Sequence, residues 1–225
     1  FDLGTPQSRN TMSNQTDHDP GRVYRILGEL FLEPPTESTV ADVSAWADRW
    51  LETNPDSLTV DIGEPLGTLI ETNSGEVETI RAEFTRLFRG ATNQPSPDPP
   101  YESLYRENTI YGASTTEVRE SYLKAGMDLV DDGGEPPDHL GIELQFLGEL
   151  RSKEAEGEKE SGEELRTFIE EHVGQWYVDF ADAVDAKDPH PFYGAVVRLT
   201  GAILEAEAER LDANCEALSE SAPRR

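Results

Sequence analysis

The chain has 225 residues, enough for one ordinary domain or two small ones with a sizeable buried core. Its 19 basic and 46 acidic residues leave a net charge of −27 and a pI near 4.3. A nucleic-acid partner is all but excluded on that balance, since such affinity rests on Lys and Arg neutralising phosphates.

Apolar spacing is helical almost throughout. Asp19 before Pro20 reads as an N-cap with proline in the first turn, and Val23, Ile26, Leu27, Leu30 and Phe31 then mark one helix face. Pro34 and Pro35 end that helix, and a second is expected from about Thr36 to Glu52, carrying Val40, Val43, Trp46, Trp50 and Leu51. A shorter helix is expected over Glu64 to Thr72, followed by one with Val77, Ile80, Phe84, Leu87 and Phe88 and a C-terminal Gly90. Four prolines (Pro95, Pro97, Pro99 and Pro100) make the next stretch an extended loop, the seam between two helical halves. Ser114 with Glu117 reads as a capping box for a helix closing at Gly126. After the Gly/Asp-rich turn at 131–135, Leu140, Leu144 and Leu147 form a seam that Ile142 and Phe146 broaden. The tract KEAEGEKESGEE reads as a solvated loop, and two long helices follow. One carries Leu165, Phe168, Ile169, Trp176 and Phe180; the other carries Phe192, Val196, Leu199 and Ile203. Nothing alternates with period two, so the fold class is all-α. The expected organisation is a disordered segment over 1–19, one helical domain over 20–214 and a flexible tail over 215–225. Within the domain, halves at about 20–92 and 113–214 flank the proline-rich seam at 93–112.

Only four of the basic residues are lysines (Lys124, Lys153, Lys159 and Lys187). An acidic, lysine-poor surface suits a halophilic cytoplasm. Carboxylates support solubility there, and at about 1 M salt the screening length falls to about 3 Å. Disorder fits poorly with such regular apolar spacing; an acidic surface that attracts a basic ligand stays open. Cys215 is the single cysteine, which leaves no internal disulfide and no CxxC zinc site. No apolar run approaches the ~18 residues of a membrane helix, and the first twenty residues lack the apolar core of a secretory signal. Met12 inside a polar stretch marks residues 1–11 as an expected upstream addition. No stable membrane insertion and an intracellular location are expected.

Enzyme signatures are missing: no GxxxxGK[ST], GxGxxG, HExxH or GxSxG. His139 and Glu143 share a helix face at i, i+4, and two ligands do not make a site; with His190 added they are the best material for a metal-dependent enzyme. Asp138 and His139 open a helix after Pro136 and Pro137. Asp138 reads either as a cap or as a carboxylate for a cationic ligand, with His139 orienting it. Phe84 and Phe88 read most simply as core, whereas Tyr101 and Tyr105 have few apolar neighbours and suit a groove. An apolar groove rimmed by carboxylates suits a basic amphipathic peptide.

The chain resembles the TorD/DmsD-type chaperones that assist maturation of molybdenum-containing redox enzymes. The resemblance rests on FTRLFRG (Phe84 to Gly90), PSPDPPYESLY (Pro95 to Tyr105), YGASTTEVRESYLKAG (Tyr111 to Gly126), EPPDHLGIELQFL (Glu135 to Leu147) and HPFY (His190 to Tyr193), in that order. It implies an all-helical, cytoplasmic, non-enzymatic chaperone without a cofactor of its own, monomeric or domain-exchanged as a dimer. Its implied partners are a twin-arginine signal peptide and the apo form of a molybdoenzyme of the dimethyl sulfoxide reductase kind. A nitrate-reductase-type client recognised mainly through the mature enzyme is the alternative. The E-x-P-D-H element (Glu135, Pro137, Asp138 and His139) and the aromatic-x-x-Leu-Phe element (Phe84, Leu87 and Phe88) are implied to lie in the signal-peptide site, beside Glu143, Tyr101 and Tyr105. The expected contacts are peptide guanidiniums on Asp138 and an apolar stretch against Phe88, Tyr101 and Leu144. The chain departs from the family pattern at Phe84, where Tyr or Trp is commoner, and at Tyr101, where Trp is common. It has no phosphate loop to support the nucleotide binding suggested for the family.

Overall fold

Wherever apolar residues recur every three to four positions, the backbone of the computed structural model is helical, as the stripe-to-core argument requires. The structure describes residues 19–53, 60–90, 95–127 and 134–221, with the side chains of Val60 and 214–221 outside the description. Residues 1–18 of the expected segment 1–19 and 222–225 of the expected tail 215–225, part of the Gly/Asp turn and the Cys215 side chain therefore lie outside it. Among the described residues ten helices run in chain order: α1 (Arg22–Leu32), α2 (Glu37–Thr53), α3 (Val60–Glu71), α4 (Val77–Phe88), α5 (Glu102–Glu107), α6 (Ala113–Lys124), α7 (Leu140–Ala155), α8 (Lys159–Glu171), α9 (Tyr177–Asp185) and α10 (Pro191–Ser221). Short 3-10 turns at Ser74–Glu76 and Val173–Gln175 lead into α4 and α9. Among the described residues there is no strand, so the all-α expectation holds.

Several local expectations are corrected. Asp19 does not cap α1 directly. The N-cap is Gly21, and the Asp19 carboxylate accepts from the Gly21 N–H at 3.0 Å and the Ser152 hydroxyl at 2.7 Å while pairing with Arg25. No Ser114–Glu117 box opens α6. Glu107, six residues upstream, accepts from the Ala113 N–H at 2.6 Å and the Ser114 N–H at 2.8 Å. The charged tract is helical except at Glu156–Glu158, because Glu and Lys are good helix formers and Glu154 pairs with Arg151 and Arg210. The first of the two long helices breaks at His172, where the backbone leaves the helical region (φ −118°, ψ −96°), giving α8 and α9.

The two halves share one core. Phe31, Phe84, Phe88, Phe180 and Tyr193 meet there edge to face, with ring centroids 5.0 Å apart for Phe88–Tyr193 and 5.3 Å for Phe31–Phe88. The most extensive helix pairs join the halves across the seam: α1 against α7, and α3 against α10. The α1–α7 pairing is backbone on backbone. A Cβ at Gly28 would stand 2.7 Å from the Gly141 carbonyl oxygen, and one at Gly148 would stand 2.7 Å from that of Gly21. Gly21, the cap of α1, and Gly28 within it thus meet Gly148 and Gly141 of α7, each pair seven positions apart, and the N-terminus of α7 is set against α1.

Candidate functional site

The two double-proline elements are far apart in sequence and are tied together by backbone hydrogen bonds. The Leu140 N–H donates to the Pro100 carbonyl and the Glu102 N–H to the Asp138 carbonyl, both at 2.9 Å, forming an isolated antiparallel bridge at Tyr101 and His139. Side chains reinforce it. Asp138 Oδ2 accepts from the Ser103 N–H at 3.0 Å, so Asp138 caps α5 from across the seam rather than its own helix. The α7 cap is His139, whose Nδ1 accepts from the Gly141 N–H at 3.0 Å. Burial holds the His139 imidazole down to about 4, so the ring is neutral at physiological pH, and its edge meets the Tyr101 ring at 5.2 Å. The Tyr122 hydroxyl donates to the Pro137 carbonyl at 2.8 Å, fixing the turn from below.

The outer face of this bridge carries Glu135, Arg89 and Tyr101. Arg89 pairs with Glu135 and also donates to the Leu32 carbonyl at 2.8 Å, while the Tyr101 hydroxyl donates to Glu135 at 2.5 Å. Burial opposes ionisation of Glu135, yet the Tyr101 hydroxyl and the Arg89 guanidinium hold its carboxyl below the usual range. Tyr105 is half-buried, stacked on Trp176 at 5.4 Å, and donates to the Asp98 carbonyl at 2.7 Å.

Behind the bridge lie three carboxyls with no exposure: Glu102, Asp138 and Glu143. Burial first, and then the charges of Glu102 and Asp138, push the Glu143 carboxyl well above the usual range, so it is held protonated. Asp138 Oδ1 has no hydrogen-bond partner, whereas Glu102 Oε2 stands 3.3 Å from His172 Nδ1. Glu102 pairs with Arg106 and meets His172 Nδ1 at 3.3 Å.

The residues expected at the site divide sharply. Glu135, Pro137, Asp138, His139 and Tyr101 are brought together by the bridge, Tyr105 stands one turn along α5 against Trp176, and Glu143 lies directly behind the bridge. Phe84, Leu87 and Phe88 are core residues, 1%, 0% and 2% exposed, and Leu144 is wholly buried. As they stand, these side chains present no wall to a peptide. The expected contact between a peptide guanidinium and Asp138 likewise has no opening in this structure, because Asp138 is enclosed and committed to α5. The metal pairing fails on geometry. The Nδ1 of His139 is occupied by the Gly141 N–H, and among the described residues no three His, Cys, Asp or Glu side chains are grouped to hold an ion. Sequence reasoning missed Arg89, Glu102, Arg106 and His172. Glu102 follows Tyr101 directly and was legible as a helix opener. Its meeting with His172, seventy residues on, has no local signal.

Comparison with known proteins agrees with the fold. The model of the nitrate reductase delta subunit family matches residues 56–182. The Tat proofreading chaperone DmsD of Salmonella typhimurium is 30% identical over 194 residues, covering 81% of this chain and 87% of that one. The chaperone protein TorD of Aeromonas salmonicida is 30% identical over 138 residues, 59% of this chain and 60% of its own. A crystal structure described as a redox enzyme maturation protein from Archaeoglobus fulgidus superimposes with a TM-score of 0.50 at 25% identity, over 91% of this chain and 99% of that chain. The class these define is the all-helical redox-enzyme maturation chaperone. The chain belongs to the TorD/DmsD family, the one described by the nitrate reductase delta subunit model. Among the described residues no helix is long and apolar enough to cross a membrane.

Proposed function

We propose that this protein is a cytoplasmic, non-enzymatic chaperone that binds the twin-arginine signal peptide of a molybdopterin-dependent oxidoreductase of the dimethyl sulfoxide reductase kind. It would assist maturation and cofactor insertion before export, as a monomer or as a dimer exchanged across the proline seam. The observation that carries the reading is the bridge between the two proline elements. It places Glu135 and Tyr101 outward while Asp138 and His139 lock the backbone beneath them. In this reading Asp138 and His139 build the surface, and Glu135, Tyr101 and Tyr105 meet the peptide. A peptide guanidinium taking the place of Arg89 on Glu135 gains charge-assisted hydrogen bonds of about 1.5–3 kcal/mol. Apolar residues laid along Tyr101 and Tyr105 add about 25 cal/mol per Å² before ordering costs.

The test is calorimetric titration in molar KCl with a twin-arginine signal peptide and its twin-lysine variant. Micromolar binding is expected for the first, loss of it for the second, and at least tenfold weakening by Glu135→Gln. Failure of both peptides to bind the folded protein overturns the reading. The family model's match over 56–182 favours one other client, a nitrate-reductase-type apoenzyme held through its mature part. In that case the apoenzyme is captured while the peptide is not.

A further inference from the structure

Polar groups of four segments converge behind the bridge. Glu102 of α5, Asp138 of the proline turn and Glu143 of α7 are all without exposure. Tyr122 of α6 is buried beside them, kept neutral by that burial and by their charges, and donates to the Pro137 carbonyl at 2.8 Å. Trp176, which follows the 3-10 turn at Val173–Gln175, turns its indole N–H towards Glu143. Arg106 and His172 attend Glu102: the first pairs with it, and Nδ1 of the second stands 3.3 Å from each of its oxygens. Asp138 has the Ser103 N–H on Oδ2 and nothing on Oδ1. Glu143 thus faces two carboxyls and an indole, and a third buried negative charge in that space would be costly, so it stays a neutral acid against Glu102.

The lid over these groups is α5, six residues long. Two backbone hydrogen bonds hold it to the α7 side, Glu102 N–H to Asp138 and Leu140 N–H to Pro100, together with the Asp138 cap on Ser103. A neutral Glu143 lets Glu102 lie close. An ionised one sets like charges together across the joint between α5 and α7, and lifting α5 relieves them by letting water in.

We infer that the proton on Glu143 latches α5 over the bridge, and that its release lets α5 lift and uncovers Asp138 to an incoming partner. That this partner is an arginine-bearing peptide rests on the proposed reading. The latch itself rests on the buried cluster and the short helix above it.

The proton balance sets the pH dependence. The closed form holds one proton that the open form gives to solvent, so above the ordinary carboxylate range each pH unit favours opening about tenfold until Glu143 ionises in place. His139, edge-on to Tyr101, acts in the opposite sense below pH 6.5, where an uncovered ring would take up a proton, so the test runs above that value.

Amide hydrogen exchange on the full chain in 1 M KCl, between pH 6.5 and 9 and corrected for intrinsic rates, reads the opening at Glu102, Ser103 and Leu140, whose N–H groups close the bridge. In wild type all three are expected to open about tenfold more often per pH unit, and about a hundredfold more often than Val196 in the core of α10. Glu143→Gln, neutral at every pH, is expected to lose that slope; His172 is common to both proteins, so its own titration cancels. Glu143→Met, also neutral, repeats the comparison should the amide not fold. A wild-type slope no steeper than that of the neutral variants overturns the latch, as does a bridge that exchanges only together with Val196. Titrating the twin-arginine peptide over the same range separates the two readings. Affinity that rises with pH in wild type alone supports both. A sloped bridge with no peptide bound at any pH overturns the signal-peptide reading and leaves the latch. Peptide binding that ignores pH overturns the latch as a gate and leaves the signal-peptide reading.

Discussion

The His139 ring accepts the Gly141 N–H through Nδ1 and lies edge-on to Tyr101, so it serves the site only while neutral. Its folded value of about 4 stands below the ordinary 6.5. Above pH 6.5 neither state carries the proton and the stabilisation is fully present. As pH falls from 6.5 towards 4 the unfolded chain takes up a proton that the folded ring refuses, and stability drops. A shift of that size corresponds to about 3 kcal/mol at most. Asparagine can cap a helix without titrating, so His139→Asn should flatten the loss of Tm between pH 7 and 5, a comparison that thermal denaturation makes directly. Glu143 works in the opposite sense. Its raised carboxyl keeps a proton that the unfolded chain releases above the usual carboxylate range, so its contribution weakens as pH rises.

The contact between α1 and α7 depends on the absence of side chains. Alanine at Gly28 would press its Cβ to 2.7 Å from the Gly141 carbonyl, and backbone cannot swing aside as a side-chain tip can. Gly28→Ala should therefore cost about 1–3 kcal/mol in urea unfolding, whereas Gly67→Ala in α3, where a Cβ meets nothing within 4 Å, should gain about 0.5–1 kcal/mol. The helices themselves were legible because apolar period alone marks a buried stripe, as with Ile26, Leu27, Leu30 and Phe31 in α1. The proline seam was legible too, although α5 hides at its end. What periodicity does not carry is which distant group completes a helix terminus. Asp138 caps α5 from thirty-five positions away, and Glu107 caps α6 from six, outside the three-residue spacing of a capping box. The same limit applies to the site. The Pro-Pro-Asp-His string announced itself, but its burial did not, because whether Asp138 faces solvent or Ser103 is decided by a contact thirty-five positions away.

At the scale of the whole molecule, 46 acidic residues against 19 basic ones leave a charge of −27. Partly buried pairs such as Arg86–Glu83 and Arg210–Glu154 neutralise some of it locally. The remainder repels itself, and salt relieves that repulsion as the screening length falls from about 10 Å at 0.1 M to about 3 Å at 1 M. Tm should accordingly rise between 0.1 and 2 M KCl. A flat or falling curve would count against a halophilic surface. Because α1–α7 and α3–α10 both cross the seam, two chains that exchanged halves would recover the same contacts in trans.

The paired glycines also act as an index. Gly21 faces Gly148 and Gly28 faces Gly141, the same interval on two antiparallel rods, so α7 seats against α1 only at discrete settings, as a rack seats against its pinion. A small slide would drive side chains into carbonyls. The platform bearing Asp138, His139 and Glu143 is for that reason stationary. Any yielding at the bridge is left to the six-residue α5 and the prolines ahead of it, held across the bridge by two backbone hydrogen bonds and one carboxylate cap.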